Sequence, residues 1–222
     1  MNILITGVHG FVGSNLVKAL SPEHTIFGLD IVAPEKEGVT RTYSWNDLEN
    51  PDFPRIDAVI HLAGKAHDTR NKSAADVYFK VNTGLTQRIF DWYLARSDAK
   101  KFIFFSTVKS AADRVEGEFL TEDCVPTPVG PYGESKIKAE NYIIEHFAPE
   151  AMKRPYHNFD DSDSVVAGKR VYIMRPCMIH GPGNKGNLNL LYGVVSKGIP
   201  WPLGAFENRR SFTSVANLCF VI

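Results

Sequence analysis

Cysteine is scarce in this chain. Cys124, Cys177 and Cys219, three residues in 222, stand far apart and form no Cys-x-x-Cys pair. That argues against a disulfide framework and against a cysteine-based zinc site. Net charge is missing too, since 25 Lys and Arg balance 25 Asp and Glu. No broad basic surface is offered to nucleic acid or to anionic lipid. No apolar run approaches the ~20 residues that cross a membrane; Ala58–Gly64 is among the longest. The opening Met1–Gly7 lacks the charged start, long apolar core and cleavage site of a secretory signal. Repeats and low-complexity tracts are absent as well. The expectation is a protein of the reducing cytoplasm, with no nucleic-acid partner and no membrane insertion.

What is present is ordinary globular material, 44% hydrophobic and 23% charged. The length suits one domain, or one domain with part of a second. Apolar runs at Asn2–Thr6, Thr25–Leu29, Ala58–Leu62, Lys101–Phe105 and Arg170–Met174 read as strands buried on both faces. Between them, Gly10–Leu20, Ala74–Ala95 and Ser135–Phe147 carry apolar residues at helical spacing. The alternation predicts an α/β fold with a doubly wound parallel sheet and right-handed crossovers. Pro149–Lys169 is polar and reads as an exposed loop. Its Asp160-Asp161-Ser162-Asp163 run lacks the Gly and distal Glu of a calcium loop, so the reading is solvated surface and no metal.

The first strand runs into Thr6-Gly-Val-His-Gly-Phe-Val-Gly13, which opens the first helix. Gly7 permits a tight turn, Gly10 lets the backbone approach a pyrophosphate, and Gly13 allows close packing of helix on strand. The helix N-terminus then presents free N–H groups to the phosphates. Asp30 closes the second strand, where a carboxylate accepts from a ribose 2′-hydroxyl and repels a 2′-phosphate. NAD is therefore favoured over NADP. A structural turn and a surface Asp are the plain alternative.

Tyr132-Gly-Glu-Ser-Lys136 puts Tyr and Lys four residues apart, on one face of a helix. A phenol near pKa ~10 is a poor base at neutral pH. A neighbouring ammonium and an oxidised nicotinamide would favour its phenolate. Thr107, after the Lys101–Phe105 strand, could set a hydroxyl beside it. Most Tyr-x-x-x-Lys pairs are ordinary helix surface; the placement after that strand of a dinucleotide fold raises this one above them.

Together these segments resemble the extended short-chain dehydrogenase/reductase family, of the nucleotide-sugar epimerase/dehydratase type. The matches are Thr6–Gly13, Asp30, Asp47-Leu48, His61–Gly64, Val81-Asn82, Ser106-Thr107, Tyr132–Lys136 and Arg175–Gly183. The resemblance implies a Rossmann-type domain over residues 1–180 and part of a nucleotide-sugar-binding lobe over 181–222. It implies that Gly7, Gly10, Phe11, Val12 and Gly13 line the pyrophosphate of NAD, that Asp30 holds the adenosine ribose, and that Asp47 and Leu48 meet the adenine. Leu62, Ala63 and Gly64 would pass under the cofactor, with Asn82, Ser106 and Pro176 also in its site. Tyr132 and Lys136 would hold the nicotinamide ribose, and with Thr107 they would form the catalytic triad. Ser106–Lys109 and Pro202–Phe212 are similar to a subgroup acting on activated sugars of bacterial surface polysaccharide. In that likeness Arg210 binds the nucleotide diphosphate, with Thr107, Asn184 and Asn187 as further substrate contacts. The implied activity is hydride transfer at a sugar carbon, C4 of a UDP-sugar, by a 4-epimerase or a 4-keto reductase. The implied assembly is a homodimer joined through Ala74–Ala95 and Ser135–Phe147, with Phe79, Phe90, Tyr142 and Phe147 as aromatic anchors.

Departures from the pattern carry expectations of their own. The acid/base pair that dehydratases of this type carry after the catalytic Thr is replaced by Val108 and Lys109, which disfavours dehydration. Ser110-Ala-Ala112 stands where Val-Tyr-Gly is common. The chain stops at Ile222 inside an expected helix from Ala216, so the terminal segment is expected to fray and turnover to be weak. Rival readings are a non-catalytic dinucleotide-binding regulator and an inactive truncated relative. His61 reads as a satisfied core histidine, His9, His67 and His180 as loop residues without metal spacing, and Trp201 as a packing anchor.

Overall fold

In a computed structural model the chain is described at residues 1–66, 74–115, 117–122, 124–153, 159, 162–184, 187–198 and 209–222. His67, Asp160, Asp161 and Trp201 lie outside the described residues. In chain order the larger elements are β1 (Asn2–Thr6), α1 (Phe11–Leu20), β2 (Thr25–Leu29), β3 (Arg41–Tyr43), β4 (Ala58–His61) and α2 (Ala75–Tyr78). Then come α3 (Leu85–Ala95), β5 (Lys101–Phe105), α4 (Gly130–Phe147), β6 (Val165–Val166), β7 (Lys169–Met174), β8 (Met178–His180), α5 (Asn187–Val195), β9 (Phe212–Ser214) and α6 (Val215–Val221).

Seven strands form one sheet in the order β3-β2-β1-β4-β5-β7-β6, and β8 pairs with β9 in a small second one. Every pairing from β3 across to β7 is parallel, and β6 alone runs antiparallel, on the edge. The order in which successive strands are added reverses between β1 and β4, and such a switch point opens a crevice at the carboxyl ends of the strands. Register explains the two-sided core. Leu4 pairs with Val59 and Val59 with Phe102, facing α3 and α4 through Ile89, Phe90, Ile143 and Ile144. Ile3, Ile5, Ile26 and Ile60 face the other way, onto Leu16, Val17 and Leu218. Strands covered on both faces have no polar side to alternate with.

Four expectations are corrected. The long helix of 74–95 is not α-helical throughout: between α2 and α3, Phe79–Gly84 widens into a π-helical turn, whose Asn82 carbonyl accepts from the Thr86 hydroxyl of α3 at 2.6 Å. α4 begins at Gly130, so Tyr132 sits within its first turn. Pro149–Lys169 is not all exposed loop: a 3₁₀ turn over Pro149–Lys153 buries Ala151, and β6 extends the sheet edge. The terminal segment is ordered as α6, capped by the Ser214 hydroxyl on Asn217 N–H at 3.0 Å and docked under α1 by Leu218. Of the four aromatic anchors, Phe90 and Phe147 point into the protomer's own core, while Phe79 and Tyr142 are half-exposed. Among the described residues no helix is long and apolar enough to cross a membrane.

Candidate active site

The glycine turn is shaped by contacts that only hydrogen can make. Gly7 adopts φ +69, and a Cβ there would sit 3.0 Å from Ala63 N. A Cβ on Gly13 would come within 2.5 Å of Gly7 O and 2.9 Å of Val8 Cα, where neither backbone can yield. Gly10 caps α1 without a side chain of its own, so the first turn of N–H groups has no side-chain acceptor from the cap residue. The result is a cradle at a helix N-terminus, the setting that suits a pyrophosphate. Asp30, at the end of β2, closes its rim: Oδ2 accepts from His9 N–H at 3.1 Å and Oδ1 from Ile31 N–H at 2.8 Å. Phe11 and Val12 form the first turn behind it.

A hydrogen-bond chain ties this turn to the chemistry. Thr6 Oγ1 accepts from Leu62 N–H and Ala63 N–H at 3.2 and 2.9 Å, so its own proton goes to His61 Nδ1 at 2.6 Å. His61 Nε2 then donates to Thr86 Oγ1 at 2.9 Å, and Thr86 donates to the Asn82 carbonyl. Only the neutral Nε2–H tautomer satisfies every link. Burial, reinforced by the Lys136 charge, holds the imidazole well below its ordinary pKa. His61 is thus a satisfied core residue. Asn82 in turn clasps Lys65, accepting from its N–H at 2.7 Å and donating to its carbonyl at 3.1 Å, and reaches Ser135 Oγ at 2.9 Å. Leu62, Ala63 and Gly64 are stretched between these anchors. A Cβ on Gly64 would lie 3.0 Å from Asn82 Oδ1 and 3.2 Å from Lys136 Nζ.

Asp47 and Leu48 sit farther along the rim. Asp47 makes a reciprocal capping box with Ser44, whose N–H and hydroxyl bonds hold its carboxyl below the usual range. The Leu48 side chain points into the core, and its carbonyl accepts from Trp92 Nε1 at 2.9 Å.

Thr107, Tyr132 and Lys136 do converge. Ser106 N–H bonds Met174 O at 2.8 Å and Val108 N–H bonds Pro176 O at 3.3 Å, so the segment after β5 is laced to the one after β7. The Thr107 hydroxyl is a hydrogen-bond partner of the Tyr132 phenol, and the Tyr78 ring meets that phenol ring edge-on at 6.4 Å. Lys136, one helical turn on, is 4% exposed; its ammonium donates to Phe105 O at 2.7 Å and lies 4.8 Å from the Phe104 ring centre. Burial pulls its pKa down to about 8, against the raising pull of Glu140. For the Tyr132 phenol the protein's own groups pull in opposite directions. Burial raises its pKa, opposed by the Thr107 hydrogen bond, while the Lys136 ammonium is aimed at Phe105 O. α4 approaches this close because residue 133 is glycine: a Cβ there would strike Lys109 O at 2.4 Å.

The remaining sugar-side residues are placed less centrally. The Gly181–Asn184 turn lies at the head of α1, where Pro182 O accepts from Asn15 Nδ2 at 3.2 Å and Gly183 nears the Phe11 ring. Asn184 O accepts from Asn189 Nδ2. Asn187 starts α5, its side chain outside the described residues. Arg210 is exposed and helps, after Lys109, to hold Asp113 ionised; Lys109 pairs with Asp113 at 2.8 Å. Among the described residues no three His, Cys, Asp or Glu are grouped to hold a metal ion. Sequence reasoning missed Glu140, Ser110, Tyr78 and the role of Arg175. The signal for Glu140 was an acidic residue within the apolar face that Ala139, Ile143 and Ile144 define.

Known proteins resemble this chain in sequence and in fold. The family model described as NAD dependent epimerase/dehydratase family matches residues 3–219. A UDP-glucose 4-epimerase of Vibrio cholerae is 34% identical over all of this chain and 65% of its own length. A GDP-6-deoxy-D-mannose reductase of Pseudomonas aeruginosa is 27% identical over 82% of this chain and 54% of its own. The chain therefore spans less than two thirds of either relative. Among solved structures, a UDP-glucose 4-epimerase of Thermotoga maritima, determined with UDP-glucose, is alike in fold with TM-score 0.75 and 24% identity. That match covers 99% of this chain and 71% of the other.

Proposed function

The chain belongs to the NAD-dependent epimerase/dehydratase family, and from that premise we propose that it acts on a nucleotide sugar by moving a proton and a hydride at a sugar carbon, C4 of a UDP-sugar. The observation that carries the reading is the Thr107–Tyr132 hydroxyl pair with the buried Lys136 amine one turn away, set beside the glycine cradle at the carboxyl ends of the strands. Bound NAD supplies a hydride acceptor and donor. The residues that would hold it are Gly7, Gly10, Phe11, Val12 and Gly13 for the pyrophosphate, Asp30, Asp47 and Leu48 on the adenosine side, and Leu62–Gly64, Asn82, Ser106, Pro176, Tyr132 and Lys136 toward the nicotinamide.

Tyr132 carries the proton at its phenolic oxygen, taking it from a sugar hydroxyl or giving it to a ketone. Thr107 orients that oxygen. Lys136 keeps positive charge beneath it, which favours the phenolate when the proton moves. On the sugar side Arg210 would meet the diphosphate, with Asn184 and Asn187 nearby. Val108 and Lys109 supply no carboxylate for eliminating water, so the proposed outcome is epimerisation or ketone reduction. The test is to incubate the protein with NAD and a panel of UDP-sugars, and with NADH and a UDP-4-keto sugar, following products by NMR. Interconversion of 4-epimers identifies an epimerase and consumption of the keto sugar a reductase; no turnover of either kind overturns the reading.

Asp30 makes the cofactor preference checkable. Asp30→Ala removes the carboxylate that would face a 2′-phosphate, and NADP affinity is expected to rise toward that for NAD in a titration. An unchanged preference would remove Asp30 from that role. We also propose a homodimer through the outer faces of the 74–95 stretch and α4, where Val77, Phe79 and Tyr142 keep apolar surface in reach of solvent. Light scattering at micromolar concentration is expected to give twice the chain mass; a monomer would refute it.

A further inference from the structure

Glu140 is an ionisable side chain with no solvent exposure, on the same helix as Tyr132 and Lys136. Nothing in the hydride or proton steps uses it. Its carboxylate accepts from Arg175 through Nε at 3.0 Å and again through Nη2 at 2.5 Å, a two-pronged grip in which the arginine is partly exposed and the carboxylate is not. The Ser110 hydroxyl reaches Oε1 at 2.6 Å, and the Ser106 hydroxyl bonds the same oxygen. Ser106 and Ser110 flank Thr107; Arg175 precedes Pro176, whose carbonyl holds Val108 N–H. One carboxylate thus gathers the segment after β5, the segment after β7 and α4.

We propose that Glu140 is a positioning residue: it locks α4, which carries Tyr132 and Lys136, to the segment after β5, which carries Thr107, and to the segment after β7. This rests on the reading of those three side chains given above. The lock has an electrostatic side. Glu140 stands one helical turn beyond Lys136 and is the charge that favours its ammonium against burial. The other ionisable groups around that amine are Tyr132 on α4, neutral His61 on β4, Lys65 beyond Gly64, and Arg175, whose charge Glu140 absorbs. None of them supplies a negative charge. Without the carboxylate, Lys136 would face burial and an unpaired guanidinium together, and would shed its proton at lower pH.

The experiment needs neither cofactor nor turnover, so it separates this inference from the proposed function. The Lys136 13Cε shift, assigned by its loss in Lys136→Met, is titrated in wild type and in Glu140→Gln. The midpoint is expected near pH 8 in wild type and about one unit lower or more in the variant. If Glu140→Gln does not fold, Glu140→Gln/Arg175→Met removes both charges at once, a neutral replacement that buried ion pairs often tolerate. A downward shift is expected there too, smaller because the guanidinium that would repel the ammonium is gone with the carboxylate. Hydrogen exchange across 106–112 should quicken in whichever variant is used, while β1 and β4 stay protected. An unmoved Lys136 midpoint in a folded variant, or unchanged exchange at 106–112, overturns the proposal. Failure of wild-type protein to bind NAD would count against the functional reading and leave this one standing.

Discussion

Tyr132→Phe is expected to lower turnover by ~10² or more, the usual scale for losing a positioned acid/base group, with the fold and the affinity for NAD nearly unchanged. The ring itself is kept, so its edge-on contact with Tyr78 survives. The lost oxygen leaves Thr107 Oγ1 with another partner, Lys109 N–H at 3.3 Å. Little stability is at stake, since the variant deletes one polar atom without opening a cavity. The cradle of Gly7, Gly10 and Gly13 is untouched at the other end of the crevice. A drop in kcat with unchanged NAD binding would therefore isolate proton transfer. Turnover near wild type would remove Tyr132 from the role, whatever the comparisons say of the family.

How much of this was legible depends on the range of the interactions involved. The glycine turn, the strands β1, β2, β4, β5 and β7 and the Tyr132–Lys136 spacing are local patterns, whereas the short β3 was not read. Each was readable because a tight turn, a two-faced strand and a helical face leave marks within ten or so residues. The π turn at Phe79–Gly84 left no such mark. Within it Asn82 reaches Lys65 on one side and Ser135, in another helix, on the other, contacts between residues far apart in sequence. Glu140 was hidden for a related reason. An acidic residue four after a lysine reads as a surface ion pair, yet here the acid is buried and its grip is on Arg175 and Ser110, which sequence places far away. Leu218 shows the same effect at the level of packing: an apolar residue near the terminus read as unpartnered until the sheet brought α1 to it.

Lys136→Met should abolish most activity and yet leave the protein more stable near neutral pH. The amine is 4% exposed, and burial holds its pKa at about 8 against 10.5 for the free side chain. Each unit of such a shift is worth about 1.4 kcal/mol, so keeping the ammonium inside costs roughly 3 kcal/mol wherever it is fully charged. The sign follows from proton counts. Below pH 8 both folded and unfolded chains hold the proton, and the whole cost is present. Between about pH 8 and 10.5 the folded chain has released a proton that the unfolded chain keeps, so wild-type stability rises with pH through that window. Methionine fills a similar volume with a flexible apolar chain and never pays this cost. It does leave Phe105 O without its donor, a loss of ~1–3 kcal/mol that does not depend on pH. The absolute gain at pH 7 is thus small, but its pH dependence is not: the advantage of the variant should shrink by roughly 3 kcal/mol between pH 7 and pH 10. Urea denaturation of both proteins across that range measures it directly, with NAD affinity and turnover followed on the same samples and both expected to fall. A difference in stability that stays flat with pH would mean that Lys136 is not held as a buried cation, and the electrostatic part of the proposed mechanism would go with it.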